Sequence, residues 1–171
     1  MDRVAIVGCG GSGKTHLAHQ LATLLDLPAT HLDTIYYDRD WKPLEQGEFA
    51  ARQRELVAGP RWLVEGNYAS TLPIRLAAAD TVIFLDLPAL TCLLGIAQRR
   101  WRYCGGQHND GVYDRITWDF VKYVWGYRNT MGPRMRELLD KHGSATLITL
   151  TSRRAATKFL RTVHAEHSAT H

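Results

Sequence analysis

Residues 7–15 read VGCGGSGKT, and four glycines followed by a lysine and a threonine are phosphate-binding chemistry by type and spacing. Two signatures overlap there. Gly8, Gly10 and Gly13 satisfy the dinucleotide fingerprint G-x-G-x-x-G, whereas Gly8, Gly13, Lys14 and Thr15 satisfy the P-loop pattern G-x-x-x-x-G-K-[ST]. Asp33, twenty residues beyond Gly13, stands near the place of a ribose-binding acid in a dinucleotide fold. Lys14 and Thr15 choose between the two. In a P-loop the backbone N–H groups wrap the phosphates, the lysine neutralises the outer ones and the hydroxyl binds magnesium. A dinucleotide site has no use for a cation and a metal ligand at those positions. Gly8, Cys9, Gly10, Gly11, Ser12, Gly13, Lys14 and Thr15 are therefore the expected cradle for ATP and Mg2+.

Other side chains extend the chemistry. Glu65 ends an apolar run, where a carboxylate can hold the magnesium water shell opposite Thr15. Asp33 can orient an acceptor hydroxyl, act as a base, or cap the next turn. Arg99, Arg100 and Arg102 stand in a segment expected to close over the nucleotide, where fixed cationic forks neutralise a transferring phosphoryl group. A helix C-terminus would favour the same residues through its dipole. Arg153 reaches the nucleotide edge from a later strand end. Tyr36, Tyr37 and Trp41 with Arg52 and Arg54 could clamp a ring-bearing or phosphorylated acceptor; equally, the aromatics pack the insert and the arginines are solvated.

These residues need a scaffold that brings them to one rim. Val4–Val7 is a short continuous apolar run, as for a strand buried on both faces of a parallel sheet. Leu17, Leu21, Leu24 and Leu25 then recur at helical spacing. Pro28–Leu32 reads as a second strand ending at Asp33, Arg61–Val64 as a third, Thr81–Leu85 as a fourth and Ala145–Leu150 as a fifth. Helices are expected over about 44–57, from about Leu90 through the arginines, over 117–127, and over 133–141, with a short turn or helix near 72–78. A last one starts behind Ser152 and ends near Val163, with the tail AEHSATH frayed. Strands alternating with helices give an α/β fold with a parallel sheet, whose ligands bind at the carboxyl ends of the strands. Gly8–Thr15, Asp33, Glu65 and Arg153 all fall at that edge.

With 171 residues and 45% hydrophobic content the chain suits one globular domain. No stretch approaches the roughly 18 apolar residues that span a bilayer, and nothing resembles a secretion signal. Cys9, Cys92 and Cys104 share no metal or redox spacing; Cys104 and His108 would be half a zinc site without a second pair. A reduced, cytoplasmic protein with no membrane partner is the expectation. The net charge of +4 suits a polyphosphate site as well as nucleic acid, and no nucleic-acid module is recognisable. The spacing leaves the oligomeric state open.

VAIVGCGGSGKTHLA, HLD, WLVEGNY, TVIFLDLP and the QRRWR block together resemble the adenylate-kinase-like P-loop proteins called topology modulation proteins, over nearly the whole chain. The resemblance implies a three-layer sandwich around a five-stranded parallel sheet in the order 2-3-1-4-5. Its core would be 1–33, 61–98 and 144–165, with an acceptor-binding insert at about 34–60 and a lid at about 99–143. It maps the P-loop onto Gly8–Thr15, the HLD acid onto Asp33, the lid arginines onto QRRWR, and an acidic position onto Glu65, where the family pattern has Asp. The charge is kept and the arm is longer. Kinase chemistry with ATP, Mg2+ and a small-molecule acceptor is implied. A nucleotide-dependent switch acting on nucleic acid or a protein partner is the alternative.

Overall fold

The computed structural model describes residues 1–37, 42–102, 118–142 and 145–169. Five strands, β1 (Arg3–Gly8), β2 (Ala29–His31), β3 (Trp62–Glu65), β4 (Thr81–Leu85) and β5 (Thr146–Leu150), form one parallel sheet in the order β2-β3-β1-β4-β5. β1 is central because it is apolar on both sides. Its residues alternate, Val4 and Ile6 facing one layer and Ala5 and Val7 the other, all with no exposed surface.

The first layer holds α1 (Lys14–Leu25), α5 (Ala89–Arg102) and α7 (Arg153–Ala169), contributing Leu17, Leu21, Cys92, Ile96 and Val163. The second holds α2 (Leu32–Tyr36), α3 (Gln46–Val57) and α4 (Leu72–Ala78), contributing Leu32, Phe49, Val57, Leu72 and Leu76. Burying one such aliphatic or aromatic side chain contributes about 1.5–3 kcal/mol, so these two clusters dominate the favourable side of folding. α6 (Trp118–His142) belongs to both layers: Val124 and Tyr127 sit in the first cluster, Met135 and Leu139 in the second.

Three elements depart from the expected boundaries. β2 stops at His31, and Leu32–Tyr36 turns at once into α2, so Asp33 lies in the first turn of a helix and not at a strand end. Leu32 is drawn under the sheet by the second cluster, which bends the chain there. The two helices expected over 117–127 and 133–141 are one helix, because Val124, Tyr127, Met135 and Leu139 keep a single buried stripe through Pro133. Gly132 precedes that proline and has no Cβ to clash with its ring, which relieves part of the usual penalty. α7 continues through Ala169, beyond the expected end near Val163. Its start is as expected, with the Ser152 hydroxyl accepting the Ala155 N–H at 3.1 Å.

Trp41, Cys104, His108 and the rest of 103–117 within the expected lid lie outside the described residues. No helix among the described residues is long and apolar enough to cross a membrane. Trp118 and Trp125, which the spacing suggests as lid packing, are 77% and 60% exposed.

Pro133 leaves one helical carbonyl of α6 without its N–H partner. Pro133→Ala should therefore raise stability by about 1–2 kcal/mol, less than the full helix-interior penalty because Gly132 already eases the fit. Thermal unfolding measures it, and a lower midpoint would show that the proline shape is required.

Candidate functional site

The loop between β1 and α1 takes its shape from close packing. A Cβ on Gly8 would stand 2.7 Å from the Leu85 carbonyl oxygen, so the strand leaves the sheet tight against β4. Gly13 has φ +93 and is the N-cap of α1 without any side-chain cap. The first turn of α1 contains no acid. Its N–H groups and the positive end of its dipole are therefore left for an anion. Lys14 folds back over the loop, Nζ donating to the Cys9 carbonyl at 2.9 Å, and Ser12 N–H donates to the same oxygen at 3.3 Å. The Ser12 hydroxyl is buried with no hydrogen-bond partner among the described residues. This shell fits a chain of phosphates.

Glu65 ends β3 in register with Ile6 of β1 and His31 of β2. Its Oε1 accepts from the Thr15 hydroxyl at 3.3 Å and stands 3.3 Å from His31 Nδ1, while its buried Oε2 has no hydrogen-bond partner among the described residues. Burial alone would raise this carboxyl. The His31 hydrogen bond, the Lys14 charge and the Thr15 hydroxyl outweigh it, and the group sits below its usual 4.5. An ionised carboxylate with one free oxygen beside a hydroxyl is the hard-oxygen donor set that Mg2+ prefers, and Mg2+ would complete its shell with water and phosphate oxygens. No group of three or more His, Cys, Asp or Glu stands ready to hold a metal among the described residues, so any cation here depends on the phosphates as well.

The three residues after β3 are held by a side chain that no local sequence signal singles out. Arg75 of α4 has no exposed surface. Its Nη1 donates to the Gly66 carbonyl at 2.5 Å, and its Nη2 to those of Asn67 and Tyr68 at 2.9 and 3.4 Å. Burial pushes this guanidinium down to about 9, with the Glu65 charge opposing, so it stays cationic at neutral pH. With the backbone fixed, the side chains diverge. Asn67 Oδ1 accepts the Gly8 N–H at 2.9 Å. Tyr68, at φ +28, donates its hydroxyl to Asp33 Oδ1 at 2.6 Å. Burial, then the Asp33 charge and hydrogen bond, push the Tyr68 phenol far up, so it remains a donor.

The other expected residues are placed as follows. Tyr36 packs against Phe49 and Tyr68 with ring centroids 4.8 Å apart, and Arg52 pairs with Glu48 at 2.6 Å on the half-exposed side of α3. Arg153 bridges to α5, donating to Gln98 Oε1 at 3.1 Å and to the Thr91 carbonyl at 3.5 Å. Arg99 is half-buried and Arg100 exposed near the end of α5; the Arg102 side chain lies outside the described part. Phe120 of α6 lies over the P-loop, 2.9 Å from where a Gly10 Cβ would be. Asp86, directly after β4, is buried and pairs with Arg128 and Arg136 of α6. Nothing in the local sequence links those three.

No protein-family model matches the chain, and no curated protein does. Solved structures do. Shikimate kinase from Acinetobacter baumannii in complex with shikimate is similar at 17% identity and a TM-score of 0.59, over 99% of this chain and 94% of that one. Shikimate kinase from Bacteroides thetaiotaomicron gives 14% identity and a TM-score of 0.60, over 96% and 97% of the two chains. A gluconokinase from Sinorhizobium meliloti 1021 gives 14% and 0.56, over 99% and 93%. The chain has the P-loop kinase fold. At these identities the likeness establishes the scaffold, and residue roles rest on the geometry above.

Two substitutions test that geometry. Arg75→Met leaves the Gly66 and Asn67 carbonyls without their donor and Glu65 without a buried counter-charge, and should cost about 3 kcal/mol or more in denaturant unfolding. Glu65 has a depressed folded value, so its contribution is present above about pH 4.5 and is lost as pH falls through that lower value. Glu65→Gln should flatten the acid limb of the stability–pH curve, and it should weaken Mg2+-dependent nucleotide binding at pH 7 in calorimetry. An unchanged acid limb would remove Glu65 from this role.

Proposed function

We propose that this chain is an ATP- and Mg2+-dependent small-molecule kinase that transfers the γ-phosphoryl group to a hydroxyl of its acceptor. One observation carries the reading: an uncapped, acid-free helix N-terminus behind Gly13, with Lys14 folded over the loop and Thr15 hydrogen-bonded to an ionised Glu65. Structural neighbours named shikimate kinase and gluconokinase support a small acceptor. The resemblance to topology modulation proteins is in keeping with a kinase scaffold but carries no substrate.

The residues divide the work by position. The loop N–H groups, Ser12 and Lys14 bind the triphosphate and spread its charge. Thr15 and Glu65 would hold Mg2+, which would supply charge neutralisation to the phosphate oxygens. Asp33, oriented by the Tyr68 hydroxyl, aligns the acceptor hydroxyl and takes its proton as the new P–O bond forms and ADP departs. Arg99, Arg100 and Arg102 lead into the segment expected to cover this step, and Arg153 ties the start of α7 to α5 beside them. Tyr36, Trp41 and Arg52 belong to the acceptor insert; Tyr36 acts there by packing behind Tyr68.

Lys14→Ala should reduce phosphoryl transfer by about three orders of magnitude with the fold intact, in line with loss of a preorganised charge at the transferring group. Asp33→Asn should lose transfer yet keep ATP affinity, as read by calorimetry beside a coupled ADP assay. Wild-type ATP turnover that no acceptor stimulates would favour the nucleotide-switch alternative. Undiminished turnover in Lys14→Ala would refute both readings.

A further inference from the structure

Asp86 is a second buried acid at the rim, and the phosphate cradle does not use it. It follows Leu85, the partner of Gly8 in the sheet, and its own N–H donates to the Leu150 carbonyl at 3.0 Å. Both carboxylate oxygens are taken by one helix: Arg128 Nε stands 3.4 Å from Oδ1, and Arg136 Nη2 stands 2.5 Å from Oδ2. The acid side chain is 7% exposed, whereas the two arginines are 48% and 49% exposed. Each guanidinium therefore gives one nitrogen to Asp86 and keeps further donors outward. Two cations against one anion leave a net charge of +1 on the cluster.

Anchoring α6 does not require these charges. Val124, Tyr127, Met135 and Leu139 already bury one stripe of the helix. Removing a carboxylate from water carries a desolvation cost that apolar contacts would avoid. What the cluster adds is a pair of planar donor forks held at a fixed place, an arrangement matched to carboxylate or phosphate oxygens.

Its place points to the acceptor. Tyr127, next to Arg128, packs in the same cluster as Cys9 of the P-loop. Met135, next to Arg136, packs in the same cluster as Leu32, next to Asp33. The arginines thus stand where α6 passes from the cradle layer to the layer of the insert. Lys14 and the start of α1 serve the triphosphate from the other layer.

We propose that Arg128 and Arg136, held by Asp86, form an oxyanion subsite for a carboxylate or phosphate group carried by the phosphoryl acceptor. This rests on the kinase reading and narrows the acceptor to a small hydroxylated anion. The test fills the cradle with AMP-PNP and Mg2+ and titrates glucose, gluconate and glucose 6-phosphate by calorimetry. One anion should bind at least about tenfold tighter than glucose, consistent with one or two charge-assisted hydrogen bonds, and which anion does so separates carboxylate from phosphate. Arg128→Gln and Arg136→Gln should each erase that preference while AMP-PNP still binds. Both are repeated with Asp86→Asn, where no buried carboxylate is left unpaired, and the preference should again fall. Equal binding of all three sugars to the wild type would overturn the subsite, as would arginine variants that weaken AMP-PNP and the anion alike. Failure of AMP-PNP to bind the wild type is the separate signature that the kinase reading itself is wrong.

Discussion

The rim of the sheet depends on one buried cation. Arg75 sits beneath residues 66–68 and donates to three consecutive carbonyls, the last of them shared with Thr71. A buried charge is tolerable only when dipoles and an opposite charge surround it, and here the carbonyls and nearby Glu65 supply both. In return the loop has one conformation. Glu65 then reaches Thr15, Asn67 reaches Gly8, and Tyr68 reaches Asp33. The four residues 65–68 thereby set the relative positions of the glycine loop, the Thr15–Glu65 pair and Asp33.

Around that hub the charges are arranged by strand. The two strands flanking β1 lead into buried acids, Glu65 from β3 and Asp86 from β4. Each acid is paired on a different side. Glu65 meets a hydroxyl and an imidazole and is available to a hard cation; Asp86 meets two guanidinium groups and presents them. The cradle between them carries Lys14 and the positive end of α1. Positive and negative groups therefore alternate across the rim, which suits a reaction that moves a highly charged group between two partners.

Much of this was legible in the sequence where the signal is local. The P-loop, β1, β3, β4 and α4 follow from apolar runs and glycine spacing within a dozen residues, and the strand order followed from the family resemblance. Glu65 was visible because it closes such a run. Asp33 was visible as a residue but not in its setting, since only the pull of the second core cluster on Leu32 makes a helix there. Arg75 was not legible at all: its partners are backbone carbonyls, which leave no trace in side-chain pattern. Asp86 with Arg128 and Arg136 was hidden by separation, the pairs spanning 42 and 50 positions. Pro133 misled for the opposite reason, a strong local signal overridden by burial on both sides of it.

α6 joins what the sheet keeps apart. A sheet covered on both faces divides its hydrophobic interior into two compartments, each of which could loosen without the other. One continuous helix that buries its first half in one compartment and its second half in the other ties their melting together. It also rests Phe120 on the P-loop. Thermal motion that opens the insert side therefore has to pass through the same rod that covers the phosphate loop, and the two halves of the molecule share a single cooperative unit.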